Sequence, residues 1–234
     1  MKNDKFLKVL NKTENSVDLL FYGDIVSSAC EFYPEDKCPK DVADFLKDAN
    51  GRELNVYINS GGGNVFAGYA IYNQLKRYSG KVNVFVDGLA GSIASVIAFA
   101  GDTLTMPKNT FLMIHKPYCL SVGNSDALRK VADNLDRLET SLLGIYEEHL
   151  NDNVDIETIK QMVSAETWLS AEDAQKYFKI SVTEENKAVA YCNVSNFANV
   201  PQKIKETINK TATNPKNELL QAKLNLIRIK RKDF

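Results

Sequence analysis

The stretch with the clearest chemical potential runs from Val84 to Ser95 and holds a serine among small residues. Apolar residues alternate in its first half as in a strand, and a helix is predicted from Ser92 onward. A strand-turn-helix of this kind exposes a serine hydroxyl beside backbone N–H groups, which is what a nucleophile requires. Alternatively, Gly91, Ser92 and Ala94 are small only because a helix packs closely there. Ser95 is the rival nucleophile, and its deeper place in the helix predicts a packing role.

A glycine triplet, Gly61–Gly63, follows another predicted strand at residues 54–59. The loop could hold a phosphate, but it lacks the lysine of a P-loop and the spaced glycines of a dinucleotide site. Backbone N–H donors for an oxyanion are the better interpretation, because sites form at the carboxyl ends of parallel strands. The alternative is a tight turn that needs positive φ, and both interpretations can hold together.

His115 closes a predicted strand at residues 111–114, downstream of Ser92. A histidine in this place can serve as the general base for a serine, and a purely structural histidine is equally compatible with the sequence. His149 lies on a predicted helix among charged residues, so it is expected to be packed or solvated.

One carboxylate near the end of the predicted helices has no obvious structural task. Ser170–Asp173 has the pattern of a capping box for a helix that continues through Phe178. This pattern assigns Asp173 to the helix cap. Glu166, just before the apolar Trp168, is therefore available for another task.

The elements around these residues alternate between strand and helix, which predicts an α/β fold with parallel crossover connections. The predicted strands cover residues 6–11, 16–22, 54–59, 81–86, 103–106 and 111–114. The predicted helices cover residues 41–50, 64–77, 92–100, 124–150, 154–163 and 170–178.

The predicted helix 124–150 carries apolar residues at alternating spacings of three and four, from Leu128 to Ile145. This narrow seam is typical of a helix–helix contact. We expect a projecting helix that meets another subunit; the alternative is a helix packed along its own domain.

The composition excludes several classes of protein. A net charge of −1 over 234 residues gives no overall field for nucleic-acid binding. No run approaches the roughly 18 apolar residues of a membrane span, and no apolar segment follows Met1–Lys5, so we expect neither insertion nor export. Four cysteines without a Cys-x-x-Cys pair and only two histidines predict reduced thiols, no metal and a cytoplasmic protein.

The pattern of apolar residues dissolves near Glu184, so residues 1–185 are predicted as one domain and 186–234 as a basic, partly ordered extension. Residues 201–234 hold nine Lys or Arg against three Asp or Glu. A helix start at Asn214-Pro215 makes this tail either a solvated segment or a docking segment.

Four stretches together resemble the Clp protease family of serine peptidases, which has the ClpP/crotonase fold, and they lie within residues 15–185. They are Tyr57–Gly63, Gly88–Ser95, Met113–Pro117 and Glu166–Ala174. In detail they look most like the Clp-like head maturation (prohead) proteases of tailed phages. The resemblance implies an α/β fold of repeated β-β-α units with a projecting handle helix.

Residue by residue, the resemblance implies Ser92 as nucleophile, His115 as general base and Glu166 as the third member of the triad. The oxyanion donors would be the backbone N–H groups of Gly63 and Ile93. Glutamate replaces the aspartate of the bacterial enzymes. Two further departures are glycines where the family commonly has proline and alanine, at positions 61 and 91.

The resemblance further implies a serine endopeptidase without cofactor or metal, assembled as a homo-oligomeric ring that stacks through helix 124–150. Its substrates would be capsid and scaffold proteins during phage head maturation, in the host cytoplasm and prohead. The first alternative is a bacterial-type Clp peptidase that degrades unfolded polypeptide with an ATPase. The others are a crotonase-like acyl-CoA enzyme and a non-catalytic head or scaffold component.

Overall fold

The computed structural model describes residues 15–28, 36–185, 194, 197–202 and 204. The chain falls into two compact units, Met1–Asn196 and Phe197–Phe234, and every element given below belongs to the first. The predicted strand 6–11 and the predicted tail helix from Asn214 lie outside the described residues. The predicted boundary after residue 185 stays a prediction.

Seven strands and six helices make up the described part of the first unit. The strands are β1 (Ser16–Phe21), β2 (Glu53–Ser60), β3 (Val82–Gly91), β4 (Thr103–Pro107), β5 (Phe111–Ile114), β6 (Thr167–Ser170) and β7 (Ser181–Thr183). The helices are α1 (Pro39–Ala49), α2 (Val65–Lys76), α3 (Ile93–Ala98), α4 (Ser125–Glu147), α5 (Ile156–Ser164) and α6 (Ala171–Tyr177). The six helices predicted between residues 41 and 178 are confirmed, the described predicted strands are found with β3 longer than predicted, and β6 and β7 are additional.

A parallel sheet in the order β1-β2-β3-β4-β7 forms the main layer. In β2 and β3, fully buried side chains alternate with half-buried ones. Val56 and Val84 are fully buried, whereas the next residue of each strand, Tyr57 or Phe85, is only half-buried. Half-buried strands alternate in this way because successive side chains point to opposite faces. The α/β fold class is confirmed.

Strand β3 serves two neighbours in succession. Its first half, Asn83–Phe85, pairs with β4, and its last three residues, Leu89–Gly91, pair in parallel with β5. The prediction that β3 ends at Val86 and is followed by a glycine turn is wrong. The chain stays extended through Gly91 because β5 supplies a second hydrogen-bonding partner there.

Asn59 stabilises β3 at the point where its pairing changes from β4 to β5. Its side-chain Oδ1 accepts a hydrogen bond from the Leu89 N–H at 3.0 Å. A Cβ atom on Gly88 would lie 2.5 Å from the same oxygen, so the close approach requires glycine. The last half of β3 is therefore held by β5 and by β2 through this side chain.

Helix α4 is anchored at its C-terminal end and exposed at its N-terminal end. Leu142 and Tyr146 are buried in the core, whereas Leu128 is 43% exposed. The segment before the helix is also exposed, including Leu120 and Val122. The projecting form of the helix is confirmed, and its contact with another subunit stays a prediction.

Candidate active site

Ser92 lies between the end of β3 and the start of α3 in an unusual backbone conformation, with φ 53° and ψ −129°. Its N–H donates to the Met113 carbonyl on β5 at 2.9 Å. Its Oγ lies 2.7 Å from Nε2 of His115. A positive φ at a non-glycine residue costs about 1–3 kcal/mol, so the surroundings must hold the serine in place.

His115 follows the last residue of β5 and is only 8% exposed. Burial lowers the pKa of its imidazole, and the negative charge of Glu166 raises it in part. The ring also makes an edge contact with Tyr118 at a centroid distance of 5.7 Å. The imidazole is therefore predominantly neutral at pH 7 and able to accept a proton from a hydroxyl.

Strand β6 places Glu166 beside the end of β5, which His115 follows. β6 runs antiparallel to β5, with Ile114 opposite Thr167. Extending this register by one residue puts His115 opposite Glu166, and opposed residues of an antiparallel pair share a face. The backbone of Glu166 turns at φ 50° just before the strand. At this position the negative charge of the carboxylate raises the pKa of His115, against the lowering by burial.

The glycine loop lies directly against the serine. Gly62 and Gly63 have φ of 99° and 145°, so the predicted need for positive φ is confirmed. A Cβ on Gly62 would lie 2.7 Å from the Ser92 Cβ and 3.1 Å from the Ile93 nitrogen. The loop is held by the Ile25 N–H, which donates to the Gly62 carbonyl at 2.8 Å.

Replacing Gly62 with alanine is expected to lower the free energy of unfolding by about 1–3 kcal/mol, because the new Cβ combines strain with a clash. Gly144→Ala is the matched control, because no atom lies within 4 Å of a Cβ built on this residue of α4. It should raise stability by about 1 kcal/mol, the helix propensity gain of alanine. Urea unfolding followed by circular dichroism measures both, and equal midpoints would contradict the strain at Gly62.

The other candidates take the structural roles predicted for them. Ser95 is fully buried. His149 stacks on Phe99 with ring centroids 5.0 Å apart. The Ser170 hydroxyl accepts the Asp173 N–H at 3.1 Å and caps α6.

Sequence analysis assigns no role to Tyr146, although it lies next to α3, the helix that follows Ser92. Its hydroxyl is 2.6 Å from the Ser95 Oγ. The predicted apolar seam ends at Ile145, but Tyr146 follows Leu142 by four residues, and this spacing is a signal for an inward-facing position.

Two further findings concern the described part of the chain. It contains no group of three or more His, Cys, Asp or Glu side chains that could hold a metal ion. None of its helices is both long enough and apolar enough to cross a membrane.

A serine and a neutral histidine at hydrogen-bond distance, beside a carboxylate and a glycine loop, are the groups of a serine-hydrolase site. The sequence profile of the Clp protease family matches residues 43–181. The match covers more than half of the chain, and the chain belongs to the Clp protease family.

Three curated relatives carry the name ATP-dependent Clp protease proteolytic subunit. The Porphyromonas gingivalis protein is 30% identical over 141 residues, which are 58% of this chain and 62% of the relative. The Ligilactobacillus salivarius protein is 32% identical over 139 residues, 58% of this chain and 69% of the relative. The Bacteroides thetaiotaomicron protein is 28% identical over 130 residues, 54% of this chain and 58% of the relative. The chain thus spans less than two thirds of the first and third relatives.

Proposed function

We propose that the chain is a serine endopeptidase in which Ser92 is the nucleophile, His115 the general base and Glu166 the residue that orients the imidazole. The observation that carries the proposal is the 2.7 Å distance between Ser92 Oγ and His115 Nε2. The neutral state of the buried His115 supports it, because only a neutral imidazole can accept the serine proton.

The reaction proceeds in two halves. Ser92 Oγ attacks the carbonyl carbon of the scissile peptide while His115 Nε2 takes its proton. The imidazolium, stabilised by Glu166, then protonates the leaving amine, and water hydrolyses the acyl-enzyme by the same steps. The N–H groups of Gly63 and Ile93 stabilise the oxyanion, and the contact of Gly62 with Ser92 and Ile93 supports their placement.

We further propose that the physiological substrate is unfolded polypeptide, degraded in a homo-oligomeric ring that works with an ATPase in the cytoplasm. The names of the relatives support this choice over phage head maturation, which stays a prediction. Rings that stack through α4 would cover the exposed Leu120, Val122 and Leu128.

A serine-reactive fluorophosphonate probe tests the peptidase assignment. We expect one adduct, which mass spectrometry places on Ser92, and no labelling of Ser92→Ala. Ser95→Ala is the matched control, since it removes the neighbouring hydroxyl and keeps the nucleophile; it should still be labelled on Ser92, more slowly. Labelling that persists in Ser92→Ala would contradict the assignment.

A second assay separates the two substrate classes. Degradation of a folded protein only when a hexameric unfoldase and ATP are added supports the ATPase-dependent peptidase. Cleavage of capsid or scaffold protein by the chain alone supports head maturation instead.

A further inference from the structure

A chain of buried hydroxyl groups ends on the backbone of the nucleophile. The Ser95 hydroxyl donates to the Ser92 carbonyl at 2.5 Å, and it lies 2.6 Å from the Tyr146 hydroxyl. Ser95 and Tyr146 are both 0% exposed. No solvent competes for these bonds, so their geometry is set by the protein alone.

The donor and the acceptor in each of these hydrogen bonds follow from the number of hydroxyl protons. A serine hydroxyl has one proton, and that of Ser95 is committed to the Ser92 carbonyl. The Tyr146 hydroxyl must therefore donate to Ser95. Burial holds the pKa of Tyr146 well above its usual range, so the phenol keeps its proton.

The Ser92 carbonyl and the Ile93 N–H belong to the same planar peptide unit and point in opposite directions. A hydrogen bond that fixes the carbonyl oxygen therefore fixes the direction of the N–H. It also polarises the peptide, since bonds in a chain strengthen one another at low dielectric. The Ser92 carbonyl also accepts the Ser95 backbone N–H at 3.0 Å, so the Ser95 hydroxyl is its second and shorter hydrogen bond.

We propose that Tyr146 and Ser95 are positioning residues that aim and strengthen the Ile93 N–H as an oxyanion donor. The inference rests on the proposed function and deepens it. Tyr146 is well placed for the task because its ring is wedged against Phe99 and Phe178, at centroid distances of 5.7 and 5.9 Å. The C-terminal end of α4 is thereby connected, through these hydrogen bonds, to the Ile93 N–H.

Tyr146→Phe removes one hydroxyl and keeps the ring, and Ser95→Ala removes the donor to the carbonyl itself. Losing an oxyanion donor outright costs about 10²–10³-fold in kcat. We expect kcat for a peptide substrate to fall about tenfold in Tyr146→Phe and about 100-fold in Ser95→Ala, both at unchanged KM.

The distinguishing readout is the affinity for a peptide boronic acid, whose tetrahedral adduct places an oxygen in the oxyanion site. This affinity should fall by the same factor as kcat, because a substitution that weakens binding of the transition state also weakens binding of its analogue. Affinity for the product peptide should not change. A merely structural role would alter thermal stability and leave the ratio of the two affinities at the wild-type value.

Tyr69→Phe is the matched control. The Tyr69 hydroxyl donates to the Leu138 carbonyl on α4 at 3.0 Å and takes no part in the hydrogen bonds that link Tyr146, Ser95 and Ser92. The inference is overturned if Tyr146→Phe and Ser95→Ala match Tyr69→Phe in kcat and in boronate affinity. It is overturned equally if product affinity falls in parallel. Absence of Ser92-dependent hydrolysis in the wild type would instead overturn the proposed function, and this inference with it.

Discussion

His115→Ala is expected to lower kcat by about a million-fold, the cost of removing the histidine of a serine-peptidase triad. Without the imidazole, the Ser92 hydroxyl keeps its proton and is a poor nucleophile. The 2.7 Å contact between the two side chains makes this the largest effect that we expect from a single substitution. Steady-state hydrolysis of a fluorogenic peptide measures it.

The other histidine of the chain provides the control. His149 is packed on Phe99, so His149→Ala should lower thermal stability and leave kcat of the folded protein near the wild-type value. A similar loss of kcat in both variants would contradict the role of His115, because it would point to a general loss of structure.

Glu166→Gln is expected to lower kcat by about 10⁴-fold, as amide replacement of a triad carboxylate does, because the imidazole then loses its orienting acceptor. It should also move the pH profile. Burial already lowers the pKa of His115, so kcat/KM of the wild type should rise with pH through an apparent pKa below 6.5.

The direction of that shift follows from the sign of the Glu166 charge. The carboxylate raises the pKa of His115, so its removal should move the acidic limb to still lower pH. Glu172→Gln, which changes another carboxylate of the same segment, should leave the limb in place. An acidic limb that moves to higher pH in Glu166→Gln would contradict the proposed contact.

The sequence was sufficient for the α/β class, but its local pattern left a packing role open for Ser92 and a structural role open for His115, and the family resemblance decided between them. The sequence was not sufficient for the way in which Glu166 reaches the histidine. Strand β6 has only four residues, too few for alternation to be recognised, and its pairing with β5 is a long-range contact. The family resemblance, not the local pattern, identified Glu166.

The hydrogen bond between Ser95 and Tyr146 was also beyond prediction. The two residues are 51 positions apart, and nothing local in either segment indicates that their hydroxyl groups meet. The extension of β3 through Gly91 has the same cause, since it depends on a partner strand that comes later in the chain.

The double pairing of β3 distributes the chemical groups over several strands of one sheet. Ser92, His115 and Glu166 lie at the ends of β3, β5 and β6, whereas Gly63 follows β2, which pairs with β3 as far as Ser60 opposite Ala90. Because the glycine loop and the serine follow different strands, a change in the pairing of β2 with β3 near Ser60 and Ala90 would alter the distance between Gly62 and Ser92 without altering the contact of Ser92 with His115. The contact between Ser92 and His115 is therefore not sufficient for an active site. The distance between Gly62 and Ser92 must be measured as well.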